Sequence, residues 1–459
     1  MLDLAIRGGR VVTAEGSYEA DIGIEGGVIV QIARSGTLPP ARREINAEGQ
    51  LVLPGAIDIH FHVRAPGHPQ RGTFITETQA AAAGGVTTVL EMPISTPGCA
   101  RRDILISRRE LGEAQSLVNF GLYGAPGLLQ RDEVLGMAEE GACAYKVFTH
   151  AAPADRADEF LGICMPDEGD IYRALELVGE TGLMTVFHAE NESLIRLFDG
   201  RIKATGRVEP AAFTESRPTV VEAMSVAQLA ILCEELRSRV HIAHVSAEWP
   251  LRLLREAKAR GLPITGETCP HYLAFTSEDM DRHGPYATIK PPLRSAADQA
   301  ALWEGLRDGT LSAITTDHSP FTAEEKARGE DNIWKSAIGA PGVEGLVPFV
   351  MTEALAGRIT LQQAVRWLMT QPAQLFGLSG KGRLEVGADA DVLVYDPRTA
   401  GTVDSTQWFS KAKVIERLYH GRPVIGRVAA TIVNGAVAFE GGRITAEPGS
   451  GRFVRPDRG

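Results

Sequence analysis

No CxxC pair occurs in the 459 residues, and the five cysteines, Cys99, Cys143, Cys164, Cys233 and Cys269, are an odd number scattered through the chain. That excludes a thiolate zinc ribbon and a disulfide framework, and it fits a reduced compartment. The opening "MLDLAIRGGRVVTAEG" has no apolar run long enough for a signal peptide or a membrane span, so a soluble, cytoplasmic protein with no membrane partner is expected. No lysine and arginine block flanks the candidate site, and the formal net charge is -11, which argues against a nucleic-acid partner.

What is present is apolar and patterned. A hydrophobic content of 44% is far from the composition of disorder, and the length exceeds what one ordinary core supports. Both ends share a texture of short β-rich runs and glycine turns: "LAIRGGRVVTAEGSYEADIGIEGGVIVQIA" near the start, "ADVLVYDP" and "AATIVNGAVAFEGGRI" near the end. Residues 1–50 and 385–459 are therefore expected to pair into one small β-sandwich, with residues 51–384 inserted between them as a large domain.

That middle stretch alternates short apolar runs with segments able to form helices. Candidate strands are "LVLPGAIDIH", "VTTVLEM", "NFGLYG", "CAYKVF", "LMTVFHAE", "VHIAHVS", "PITGETC" and "LSAITTDHS". Eight strand and helix units predict an α/β fold, a (β/α)8 TIM-like barrel, whose chemistry sits at the carboxyl ends of the strands.

Polar residues at those ends form a set. His60 and His62 end the first strand, Lys146 lies in the fourth, His188 ends the fifth, His244 is near the end of the sixth, and Asp317 ends the eighth. A strand's period of two puts His60 and His62 on one face, where both imidazoles can reach one ion. Any one of them alone reads as a satisfied core histidine; six at the ends of five strands read as a metal centre. Lys146 is the odd member, because an ammonium is repelled by cations and costly to bury. Carboxylated by carbon dioxide to N6-carboxylysine, it becomes an anionic, bidentate ligand able to bridge two metals. The alternative is a lysine packed in "AYKVF" and paired to an acid.

With "PGAIDIHFH", "AAAAGGVTTVLEMP", "AYKVF", "HAENE", "HVS", "ETCPHYL", "KPPLR", "TTDHSP", "PAQLFGL", "GRLEVGADADVLVYDP" and "SGRF" in order, the chain resembles the cyclic amidohydrolases, the group of hydantoinases, dihydropyrimidinases, allantoinases and dihydroorotases. The resemblance implies that His60, His62, carboxylated Lys146 and Asp317 hold the more buried metal, and that Lys146, His188 and His244 hold the other. It implies two divalent ions, zinc first and manganese second, which agrees with mixed nitrogen and oxygen donors. A hydroxide shared by the cations would attack the ring carbonyl, and Asp317 would serve as the base that passes the proton to the departing nitrogen. Homodimers or homotetramers are implied by the same resemblance.

Substrate signatures conflict. "HFHVRAPG" is similar to the dihydroorotase version, in which an arginine at the Arg64 position binds a carboxylate. Ile94 and Phe321 replace the asparagine and histidine that would complete that contact. "EMPIST", "HAENE" and "EDNIWKSAIGAPGVEG" look most like the hydantoinase and allantoinase branch, and they bring Asn191, Ile338 and Gly339 to substrate-binding places. The tyrosine that often follows the metal lysine in hydantoinases is missing from "VFTHAAPAD", leaving the metals or His150 to assist the oxyanion. Lys290, immediately before "PP", favours a negatively charged substituent if it points inward, and is a snorkelling surface lysine if it does not. The expected activity is hydrolysis of a cyclic ureide to an N-carbamoyl product, hydantoin-type or allantoin, with dihydroorotate as alternative. A noncatalytic dihydroorotase-like scaffold would lack metal ligands, and here all six are present.

Overall fold

A computed structural model describes residues 1–457. Nine strands make a mostly antiparallel sheet: β1 (Leu2–Val12), β2 (Ser17–Glu25), β3 (Val28–Ala33), β4 (Ala41–Asn46) and β5 (Leu51–Pro54) from one end, and β14 (Val392–Thr402), β15 (Pro423–Val433), β16 (Ala436–Glu440) and β17 (Arg443–Ile444) from the other. The two ends join where β5 lies between β1 and β14. Inward-facing Leu4, Ile6, Ile22, Ile24, Ile45, Val392, Val394 and Ile432 share one buried core, so chain ends nearly four hundred residues apart stabilise each other.

Between them run the eight parallel strands β6 (Ala56–Phe61), β7 (Val86–Glu91), β8 (Asn119–Gly124), β9 (Ala144–Phe148), β10 (Thr185–His188), β11 (Val240–Ile242), β12 (Ile264–Thr268) and β13 (Ala313–Ile314), hydrogen-bonded in sequence order. A helix follows each, from Phe74–Ala83 after β6 to Val343–Leu355 after β13. Nearly every residue of these strands is buried, as expected of a sheet covered by helices on one side and closed upon itself on the other. All eight apolar runs named from sequence contain a strand. The first, "LVLPGAIDIH", holds two: Leu51–Pro54 belongs to the small sheet and Ala56–Phe61 opens the barrel. Gly55 makes the crossing, because a Cβ there would lie 2.1 Å from Thr87 Oγ1.

Ile57, Ile59, Leu90, Met92, Tyr123, Val186 and Ala313 share a buried cluster that fills part of the barrel, with the Tyr123 hydroxyl donating to the Ile59 carbonyl at 2.8 Å. The barrel closes where Phe61 bridges to His318 and the His62 N–H donates to the His318 carbonyl at 3.0 Å. Buried Asp58 latches this seam. It accepts from Thr315 Oγ1 at 2.5 Å, from the Thr316 N–H at 3.1 Å and from the His60 N–H at 3.3 Å, bonds that oppose the upward push of burial on its pKa. The seam thus sets the neighbours of His60 and Asp317 in register. Among the described residues no helix is long and apolar enough to cross a membrane.

Candidate metal centre

Six polar side chains meet where the barrel strands end. His62 Nε2 lies 3.1 Å and His60 Nε2 3.4 Å from Asp317 Oδ1, and His188 Nδ1 lies 3.0 Å from His244 Nε2. The His60 ring sits 5.2 Å from His244 and 5.6 Å from His62, centroid to centroid. These separations match donors sharing one cation, since bonds of about 2.0–2.1 Å put tetrahedral ligands roughly 3.3 Å apart. Lys146 is fully buried on β9, and among the described residues its Nζ has no hydrogen-bond partner, nor do His62 Nδ1 and His244 Nδ1. Unpaired buried donors and acceptors are costly, so an ion and a modified lysine fit a need the protein itself leaves open.

Two carboxylates decide how the imidazoles face. Glu267 Oε1 lies 2.7 Å from His60 Nδ1, and Glu190 Oε2 lies 2.7 Å from His188 Nε2. An ionised carboxylate only accepts, so each of those nitrogens carries the proton and the opposite nitrogen turns its lone pair toward the centre. Arg217 Nη1 stands 3.0 Å from the same Glu190 oxygen; its charge, with His188, holds Glu190 well below the usual carboxylate range against desolvation. Burial lowers the pKa of all four central histidines, keeping them neutral and able to ligate. It also pushes the Asp317 carboxyl up and the Lys146 amine down, while Lys146 and the nearby acids pull each other the opposite way.

The backbone is strained at the same place. His244 has φ 39°, Asp317 φ 47° and Arg64 φ 70°, left-handed values that cost a non-glycine residue about 1–3 kcal/mol each. All three line a cavity of about 260 Å³, together with His60, His62, His150, His188, Lys290, Ile338 and Gly339. Phe148, Phe160, Ile94 and Trp334 add apolar wall, a surface suited to one small ring.

Of the sequence-derived contacts, Arg64 donates through Nη2 to Ser319 Oγ, packs 5.0 Å from the Phe321 ring centroid and leaves Nε and Nη1 unpartnered. Gly339 spends its N–H on the Thr288 carbonyl at 2.9 Å, which leaves the Ile338 N–H and two carbonyls for a ligand. Asn191 is not part of the cavity wall; it caps the helix Glu192–Lys203, its Oδ1 accepting from the Leu194 N–H at 3.1 Å. His150 Nδ1 lies 2.7 Å from the Ala151 carbonyl, so Nδ1 carries the proton and Nε2 offers a lone pair, which suits a ureide N–H and not an oxyanion. Glu190 and Glu267 carry no role legible in the sequence, although they stand in the "HAENE" and "ETCPHYL" segments.

A family model described as the amidohydrolase family matches residues 51–438. An allantoinase from Deinococcus radiodurans is 35% identical over 99% of this chain and 99% of its own length. A dihydroorotase from Pelotomaculum thermopropionicum is 38% identical over 96% and 99%. The solved structure of an L-hydantoinase (dihydropyrimidinase) from Arthrobacter aurescens superposes with a TM-score of 0.94 at 33% identity, covering 99% of this chain and 100% of that one. Sequence, architecture and the convergent histidines agree, and the chain belongs to the amidohydrolase family.

Proposed function

We propose that the protein hydrolyses an amide bond of a five- or six-membered cyclic ureide to an N-carbamoyl product, with hydantoin-type rings first and allantoin second. The convergence of four imidazoles and Asp317 at the floor of a ring-sized cavity, with fully buried Lys146 close behind them, carries this reading. His60, His62, His188, His244, Asp317 and Lys146 as its carbamate would hold two divalent cations, zinc or manganese. When bound, these lower the pKa of water and polarise the ring carbonyl. Asp317 takes a proton from the attacking water and delivers it to the ring nitrogen as the C–N bond breaks. His150 Nε2 accepts from a ureide N–H, and the Ile338 and Gly339 backbone orients the ring.

The test is the ring-opening rate of zinc- or manganese-loaded protein on hydantoin, dihydrouracil, allantoin and dihydroorotate, side by side. The reading expects the fastest rate on hydantoin or allantoin; no opening of any of the four by metal-replete protein would refute it. Dihydroorotate is the second reading, favoured by the two unpartnered Arg64 nitrogens beside the centre. Under it, Arg64→Met lowers kcat/KM for dihydroorotate at least tenfold more than for hydantoin, about 1.4 kcal/mol. Equal losses on both would remove Arg64 from charge recognition.

A further inference from the structure

Three cations that line the cavity, Arg64, Lys290 and Lys335, lack a carboxylate partner among the described residues; Lys335 is exposed to solvent, and the other two stand at different depths. Arg64 is 2% exposed, close to the histidine floor and fixed by Ser319. Lys290 is half-buried, and among the described residues it takes part in no hydrogen bond or ion pair. Arg156 also lines the wall, but Glu159 neutralises it through bonds of 2.6 and 2.7 Å. The acids of the lining are Asp317, engaged by His60 and His62, and Asp155, which is exposed. Glu190, which lies toward Lys290, is already held by His188 and Arg217.

The wall around Lys290 is built rather than incidental. Thr288, two residues before it, accepts the Gly339 N–H at 2.9 Å, and buried Lys326 Nζ donates to the Thr288 carbonyl at 3.2 Å and to the Pro285 carbonyl at 2.9 Å. These bonds fix the segment that carries Lys290 against the Ile338 and Gly339 wall. A half-buried ammonium without a counter-ion is unfavourable, and burial pushes Lys290 down to about 7, so an anion brought beside it gains more than it would at an open surface.

A ring that presents its reacting carbonyl to the histidine floor directs its substituents away from that floor, toward the half-buried wall. We propose that Lys290 is a specificity-determining residue, and that the preferred substrate is a cyclic ureide carrying a carboxylate on a short side chain, held by the Lys290 ammonium rather than by Arg64. This rests on the ring-opening activity proposed above and specifies its substrate class.

The experiment compares hydantoin-5-acetic acid with hydantoin-5-acetamide, which differ in charge and hardly in shape. Metal-loaded wild type, Lys290→Gln and Arg64→Met are assayed by kcat and KM on both. Wild type should favour the acid by about tenfold or more in kcat/KM. In Lys290→Gln that ratio should collapse toward one, chiefly through a raised KM for the acid, while Arg64→Met retains most of it. Lys290→Arg should keep the preference. A wild type that prefers the amide, or a ratio that survives in Lys290→Gln and collapses in Arg64→Met, overturns the inference while leaving ring opening intact. Turnover of neither compound, with hydantoin opened, overturns the inference alone; failure on hydantoin as well removes the activity beneath it.

Discussion

Lys146→Ala is expected to abolish ring opening, with a fall in kcat/KM on the order of 10³-fold or more, and to strip bound metal from the protein. The magnitude follows from losing a ligand shared by both cations, whose charge stabilisation amounts to several kcal/mol at about 1.4 kcal/mol per tenfold. The amine that must react with carbon dioxide is the neutral one, and complete burial of Lys146 lowers its pKa and enlarges that fraction. The protein should stay folded, because Nζ makes no hydrogen bond whose loss would strand a partner. Metal analysis, kinetics and thermal unfolding check this together. Unchanged metal occupancy with normal turnover would remove the carbamate assignment, and a loss of fold would mark Lys146 as a packing residue.

Asp317→Asn is the second large effect. A positioned general base contributes about 10²–10⁴-fold. Asparagine fills nearly the same volume while losing the charge, so kcat should fall within or beyond that range while KM changes little. Asp317 is held at φ 47° beside the seam where Asp58 engages Thr315 and Thr316, which fixes the carboxylate between His60 and His62. Bound metal, measured on the same sample, separates the roles: a kcat within tenfold of wild type at full occupancy would mean that another group moves the proton.

Much of this architecture is legible in the sequence because a parallel barrel writes each strand as a short apolar run and leaves its polar residues at the carboxyl ends. His60 and His62 are readable as a pair from the period of a strand. The split at Gly55 is not, since β5 and β6 are apolar on both sides of it and differ only in which sheet they pair with. Glu267 escapes for a related reason: an acid in β12 gains its meaning from His60 across the barrel, a distance no local pattern encodes. Glu190 stands only two residues after its partner His188, but what keeps it ionised, the Arg217 guanidinium, lies 27 positions further along the chain. Asn191 carries a local signal, an N-cap residue ahead of the helix Glu192–Lys203, and the structure gives it that task. The sequence leaves Lys290 balanced between surface and site; its place in the cavity wall depends on the bonds among Gly339, Thr288 and Lys326.

The central claim is a cyclic amide hydrolase whose six converging side chains hold two cations. Its most direct test is hydantoin ring opening by chelator-stripped protein, followed as zinc or manganese is returned in measured amounts. The account predicts no detectable opening by the stripped protein and a rate that climbs until about two equivalents per chain are bound. Full activity in the stripped protein, or saturation without any bound metal, would contradict it.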